Sequence, residues 1–458
     1  MKKTFKVFFL FNFVFLFGQN EIAKKVIELE KNRTSFKSFF VFDISQEIQN
    51  NAVGDEVANA TFTKVKSSVV NDIFTKKCDY VEFSIPYDGK IVVVDLYQVS
   101  ISAEGFQIDA DKQKNIAYKP GIYYRGIVKG DTTSIACFNF FKDELNGVVS
   151  NDELANLVIG KLVKPDNISD NIIYSEAAMK VPSNFDCSFK DDEFTIEVPV
   201  SFNRNVLSSK CITTYFEIDY DLFTSNNSNA LDTTNWMTSV FNNVQTLYSN
   251  DAVTVSLKSL FIWTTQDSYE GLGTISKDYL DKFNEIRPIF NGDVGQLLGI
   301  DSGGLGCIAE RLNGLCSQNN LSYSDVVYSF LSVPTYSWTI SVITHEFGHL
   351  FGSRHTHSCV WNGNNTAIDN CASAAQGSSA SGYSCRTTPL TIPSNFIKGS
   401  IMGYCHLLSD VGIKFSNGFG SQPKAAILAV INASTCLSSD CSNTRINLIS
   451  SININKHQ

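Results

Sequence analysis

Four of the six histidines in this 458-residue chain fall between positions 345 and 357, and three of them are spaced to grip a metal ion. His345 and His349 are four residues apart, so on a helix their rings project from one face and can hold a single ion. Glu346 follows the first of them and is placed to take a proton from a water on that ion. Gly352 allows the backbone to leave the helix with φ > 0, turning the chain so that His355 returns as a third ligand. Three neutral imidazoles leave one tetrahedral position open, which is the arrangement of a catalytic rather than a structural zinc site. The expected cofactor is therefore one Zn2+ ion; nothing in the residues calls for a structural Ca2+ ion.

The helix that must carry the first two ligands runs from about Ser337 to Phe351, with Pro334 ahead of it and Gly352 ending it. Upstream, Ile212 to Leu222 reads as a strand. Thr233 to Tyr248 reads as a helix, with Trp236, Val240, Phe241, Val244 and Leu247 at helical spacing. Val253 to Trp263 follows as a strand, Ser276 to Phe290 as a helix disturbed near Pro288, and the region near Gln296 as another strand. This alternation predicts an α/β (α+β) arrangement, a twisted mixed sheet stacked on helices. Asn362 to Gly382, rich in Gly, Ser and Asn, is expected to be irregular and held by disulfides, and Ala425 to Ile431 to form a last helix. The first half is β-rich: Tyr80 to Pro86, Ile91 to Ser100, Tyr123 to Val128, Thr133 to Phe141 and Glu144 to Ser150 read as short strands, after a helix over Glu21 to Lys31.

Met1 to Asn20 has the pattern of a secretory signal, with Lys2, Lys3 and Lys6 ahead of an apolar run from Val7 to Phe17. That run is too short for a comfortable bilayer span, so a secreted protein without stable membrane insertion is expected. A net charge of −9 argues against nucleic acid as a partner. Twelve cysteines, nine of them from Cys211 onward and none in a C-x-x-C pair, suit a disulfide framework in an oxidising compartment.

The run H-E-x-x-H-x-x-G-x-x-H from His345 to His355 is the extended zinc signature of metzincins. The segment from about Cys211 to Leu437 resembles the reprolysin (adamalysin-like, M12B-type) metallopeptidases, especially their bacterial secreted members. Gly292 to Leu298 looks like that family's strand before the edge strand, and Gly303, Gly304, Leu305, Gly306 and Cys307, with the following residues to Cys316, look like the edge strand and its cysteine-bearing exit. Met402, 47 residues past His355, stands where metzincins carry a methionine turn beneath the metal. Thr356 is a departure, since adamalysins usually place Asp directly after the third histidine. Tyr123 to Gly130, with Leu145 to Val149, resembles the reprolysin propeptide. The resemblance implies a zinc endopeptidase, made as a secreted latent precursor, that hydrolyses peptide bonds by Glu346-assisted attack of a zinc-bound water. Protein or peptide substrates would lie along Gly303 to Gly306, and the chain's own prodomain would inhibit it. The implied division is a signal peptide (1–19), a β-rich prodomain (20–198), a metzincin catalytic domain (199–438) and a polar tail (439–458).

Several residues carry two readings. Cys187 lies between the halves, where many reprolysin prodomains donate a thiolate to the open zinc position. Parity favours an ordinary disulfide instead, because nine cysteines from Cys211 onward need a tenth. The first half reads either as an inhibitory prodomain or as a binding module that stays attached. His357 suits a surface or supporting role, and His406 either lines the substrate pocket or sits in a loop. Two rival functions are a zinc-bearing binding protein and a hydrolase of another bond; the presence of Glu346 speaks against the first.

Overall fold

The computed structural model describes residues 20–45, 53–180, 187–189, 208–300, 306–326, 333–377 and 385–441. The expected signal segment 1–19, the edge-strand residues Gly303, Gly304 and Leu305, and positions 442–458 of the tail lie outside them.

In the first half, α1 (Glu21–Lys31) precedes β1 (Lys37–Phe39), β2 (Phe42–Ile44), β3 (Thr61–Val65) and α2 (Ser67–Lys76). There follow β4 (Tyr80–Tyr87), β5 (Lys90–Val99), β6 (Ser102–Ala110), β7 (Ile122–Val128), β8 (Ile135–Phe141), β9 (Glu144–Asn151), β10 (Ala155–Lys161) and β11 (Asp170–Ser175). All but β6 join one ten-stranded sheet, in the order β1-β4-β5-β7-β8-β9-β10-β11-β3-β2. Its central strands are apolar on both faces. Ile122, Tyr124, Phe138 and Phe140 fill one core, while Tyr123, Ile127, Ile135 and Phe141 face a second core shared with the other half of the chain.

The second half contains β12 (Cys211–Ile218), α3 (Tyr220–Ser225), α4 (Ala230–Asn250), β13 (Thr254–Ile262), α5 (Ser276–Ile286), β14 (Val294–Gly299), β15 (Cys307–Ala309), β16 (Leu321–Asp325), α6 (Tyr336–Leu350), α7 (Cys371–Gln376) and α8 (Ser421–Ala433). Its sheet runs β15-β16-β14-β12-β13-β6, with β15 antiparallel to β16 and the other pairings parallel. The mixed α/β expectation agrees with this. The sixth strand, β6, comes from the first half and lies beside β13, pairing Ile108 with Leu260 and Ala110 with Ile262.

Two local expectations need correction. The strand from Ile212 does not reach Leu222: it stops at Ile218, because Asp219 turns the chain and its Oδ1 accepts the Leu222 N–H at 2.7 Å to cap α3. The segment Asn362 to Gly382 is not wholly irregular, since α7 forms inside it and is pinned by the Cys371–Cys405 disulfide.

The halves meet across α4, whose polar face would look solvent-exposed in the sequence. Asn242 donates to Asn139 Oδ1 at 2.8 Å, Asn146 donates to Ser239 Oγ at 3.2 Å, and the buried Arg125 donates to Gln245 and Ser249. These bonds satisfy polar groups that burial would otherwise leave costly. Disulfides Cys211–Cys441, Cys316–Cys436 and Cys359–Cys385 brace the rest of the second half.

Candidate active site

Helix α6 is apolar on nearly all sides and almost wholly buried, so packing rather than an amphipathic stripe holds it in place. Phe347 meets Phe216 of β12, with ring centroids 5.5 Å apart, and the Thr344 carbonyl accepts from the Tyr248 hydroxyl at 2.9 Å. The helix ends at Leu350. Gly352 follows with φ +95°, a backbone region that L side chains rarely adopt, and a Cβ there would stand 2.5 Å from Val430 Cγ2. Glycine is required twice over at this turn.

The turn brings three rings together. His349 Nε2 lies 3.2 Å from His345 Nε2 and 3.1 Å from His355 Nε2. Three nitrogens bound at ~2.05 Å around one tetrahedral ion would be about 3.3 Å apart, so the spacing fits zinc. The other ring nitrogens set the tautomers. His345 Nδ1 contacts the Ile401 carbonyl and His349 Nδ1 the Ser353 carbonyl, each at 2.8 Å. A carbonyl can only accept, so each Nδ1 carries the proton and each Nε2 presents its lone pair. Burial, then the neighbouring His355, push the His349 pKa down to about 4, which keeps that ring neutral.

Glu346 is fully buried beside the triad. Its Oε1 accepts from the Cys187 thiol at 3.1 Å and also meets Cys307, while Oε2 has no hydrogen-bond partner among the described residues. Burial, then the Cys187 charge, hold this carboxyl well above the usual range. Beneath the rings, Met402 is buried against α6: a Cβ on Gly348 would meet its Sδ at 2.5 Å. Thr356 donates its N–H to the Met402 carbonyl at 3.0 Å, and the Asp369 carboxylate bonds the same threonine, so an acid from elsewhere reaches the position where adamalysins carry their Asp.

Residues 187–189 cross the open side of the triad. Cys187 Sγ belongs to a group with the three histidines whose donor atoms all lie within 4.8 Å of one another, and it is 3.9 Å from His349 Nε2. Phe189 stacks on His349, with centroids 4.1 Å apart. Backbone bonds fix the crossing: Ser188 N–H donates to the Cys307 carbonyl and the Tyr404 hydroxyl to the Cys187 carbonyl, both at 2.8 Å. Burial opposes ionisation of Cys187, yet Cys307 and the three imidazoles outweigh it and hold the thiol well below its usual range. Cys187 is in no disulfide. From Cys211 onward eight cysteines pair among themselves and the ninth, Cys307, stays a thiol.

Of the other candidates, Gly306 is buried next to β15, which begins at Cys307. His357 is not at the surface: it is buried and stacks on His355 with centroids 4.7 Å apart. His406 packs between Trp338 and Tyr404, each ring 5.7 Å away. Sequence reasoning missed Cys307 and Tyr404. The parity of the cysteines was a signal for Cys307; nothing local marks Tyr404.

Residues 208–395, which include α6 and all three clustered histidines, match the Reprolysin_5 model of metallo-peptidase family M12. No curated protein sequence matches the chain. Among solved structures, metalloproteinase-II from Bacteroides fragilis is 11% identical, with 69% of this chain and 91% of that one covered and a TM-score of 0.34. A chaperone–substrate complex is 10% identical, with 77% and 56% covered and a TM-score of 0.27. Both likenesses are too distant to inform the site. Residues 208–395, which hold the histidine cluster and its glutamate, are thus the part of this chain that is similar to metallo-peptidase family M12.

Proposed function

We propose that the chain is a zinc endopeptidase, exported as a latent precursor in which residues 20–198 inhibit residues 199–438. The observation that carries this reading is the convergence of three Nε2 atoms, 3.1 and 3.2 Å apart, with the Cys187 sulfur set over them. His345, His349 and His355 are the ligands, each offering a neutral nitrogen. Zinc, when bound, supplies Lewis acidity that makes water more acidic and polarises a carbonyl. Glu346 is the base: its carboxylate takes a proton from water and returns it to the departing amine. Met402 packs under the rings and takes no part in proton transfer. The sheet edge at β15 receives an extended peptide by strand addition.

Latency follows from Cys187. Its thiolate would take the fourth ligand position, its sulfur stands 3.1 Å from Glu346 Oε1, and Phe189 covers His349. Water and substrate are thereby excluded from both the base and the ligands. Four disulfides suit the oxidising compartment that export implies.

The test is cleavage of denatured casein by the secreted, processed protein, with and without a zinc chelator, beside Glu346→Ala. Activity lost to chelation, restored by Zn2+ and absent in the variant is expected. Stoichiometric zinc without turnover would favour a binding protein instead, and absence of zinc would remove the basis of the reading.

A further inference from the structure

The cysteine that covers the histidines has a second partner besides them. Cys187 and Cys307 face each other as paired residues of a parallel β-bridge, joined by the Ser188 N–H to Cys307 carbonyl bond. Adjacent strands lie about 4.8 Å apart, inside the Cα separation that a disulfide tolerates. Their sulfurs, together with a Glu346 oxygen, form a group within 4.8 Å, so rotation of the side chains suffices to join them. Both are thiols, and both are fully buried. The remaining thiols, Cys78 and Cys137, lie in the first half.

We propose that Cys187 and Cys307 form a redox pair whose disulfide and whose zinc-bound state exclude each other: without zinc the two sulfurs oxidise to a cystine that fastens residues 187–189 to β15, and with zinc Cys187 is held as a ligand and the pair stays reduced. This rests on the reading of His345, His349 and His355 as the zinc ligands. The oxidant is a second disulfide, RSSR. One cysteine loses its proton to solvent and attacks RSSR, forming a mixed disulfide and releasing RS⁻, which takes up a proton. The second cysteine, likewise deprotonated, displaces the other RS⁻, so two thiols and one disulfide become one cystine and two RSH. Precursor that fails to load metal is then capped covalently, and cutting the chain after residue 189 leaves the cap on β15 until a thiol reductant opens it. Zinc loading protects against this because a sulfur committed to a metal is a poorer nucleophile.

The experiment incubates full-length precursor with oxidised glutathione, zinc-depleted or zinc-loaded. Bound zinc is measured directly, alkylatable thiols are counted after chelation and unfolding, and disulfide-linked peptides are mapped by mass spectrometry. Without zinc the four thiols should fall to two, with a Cys187–Cys307 peptide pair; with zinc the loss should be slower by about tenfold or more. Cys307→Ser should keep zinc and yield no such pair, and its four other disulfides, mapped in the same digest, report that it has folded. Failure of the pair to form in zinc-free precursor whose other four disulfides are intact overturns the proposal. Equal rates in precursor shown to hold zinc overturn the exclusion while leaving the zinc reading standing. A precursor that takes up no zinc defeats that reading, a result told apart from the others by the metal measurement.

Discussion

Gly352→Ala should separate two demands that the turn after α6 makes on its glycine. The first is conformational: at φ +95° an L side chain costs about 1–3 kcal/mol. The second is steric, because the new methyl would stand 2.5 Å from Val430 Cγ2 and 3.2 Å from its Cβ, well inside an ordinary carbon contact of ~3.5–4.0 Å. Overpacking of this kind costs about 1–3 kcal/mol, so the single variant should lose ~2–6 kcal/mol in all. Val430→Ala removes both Cγ atoms, including the nearest, and leaves the Cβ at 3.2 Å and φ untouched. In urea unfolding of the metal-free full-length chain, Gly352→Ala/Val430→Ala should therefore recover most of the steric part and no more, relative to Val430→Ala alone. Strain relieved by moving His355 should also weaken zinc binding, by about tenfold for each 1.4 kcal/mol diverted. A single variant within ~0.5 kcal/mol of the parent would refute the argument, and full recovery in the double variant would refute its conformational half.

Gly348→Ala gains helix propensity of about 1 kcal/mol but drives a methyl to 2.5 Å from Met402 Sδ, which costs about 1–3 kcal/mol, so a net loss of up to ~2 kcal/mol is expected. The loss should shrink in a Met402→Ala background; identical losses in both backgrounds in a urea melt would mean that the two residues do not press on one another. Asp111 joins the halves by accepting from the Thr264 N–H and from the hydroxyls of Thr264 and Thr265. Burial works to raise its pKa, yet these bonds win and hold it at about 2, below its ordinary value near 3.9, so its stabilisation is complete above pH ~4 and fades between pH 4 and 2. Asp111→Asn should flatten stability against pH in that window, and an unchanged slope would show that the carboxylate is not the group responsible. Replacing Cys211 and Cys441 together by Ser opens a cross-link between positions 230 residues apart and should cost about 2–5 kcal/mol in the denaturant midpoint. No change would mean that contacts such as the Cys211 N–H to Ser438 carbonyl bond already hold the ends.

How much of this was legible in the sequence depends on the range of the interaction. The geometry of His345, Glu346, His349 and Gly352 is local, written in offsets of one to seven residues, and the structure brings the three imidazoles within contact of one another. Strands β4, β5, β7, β8 and β9 were likewise readable from β-branched runs bounded by turn residues. The sequence pattern was silent where a partner lies far away. Ser102 to Ala110 carries a glycine and two acids, and becomes a strand because β13 meets it some 150 residues later. The polar face of α4 reads as solvated until Asn139, Asn146 and Arg125 are laid against it. Counting cysteines revealed an odd member from Cys211 onward but not which one, since which eight of the nine pair is decided by the sulfurs that the fold brings together, a three-dimensional property.

The border of the second sheet has a consequence for handling the protein. Strand β6 covers the backbone groups of β13 from Leu257 to Ile262, a stretch that is almost wholly buried. A cut that let the first half depart would leave those N–H and C=O groups as a ready template for another strand. The cut form would then be the one that clumps on concentration, and the uncut chain the one that keeps in storage.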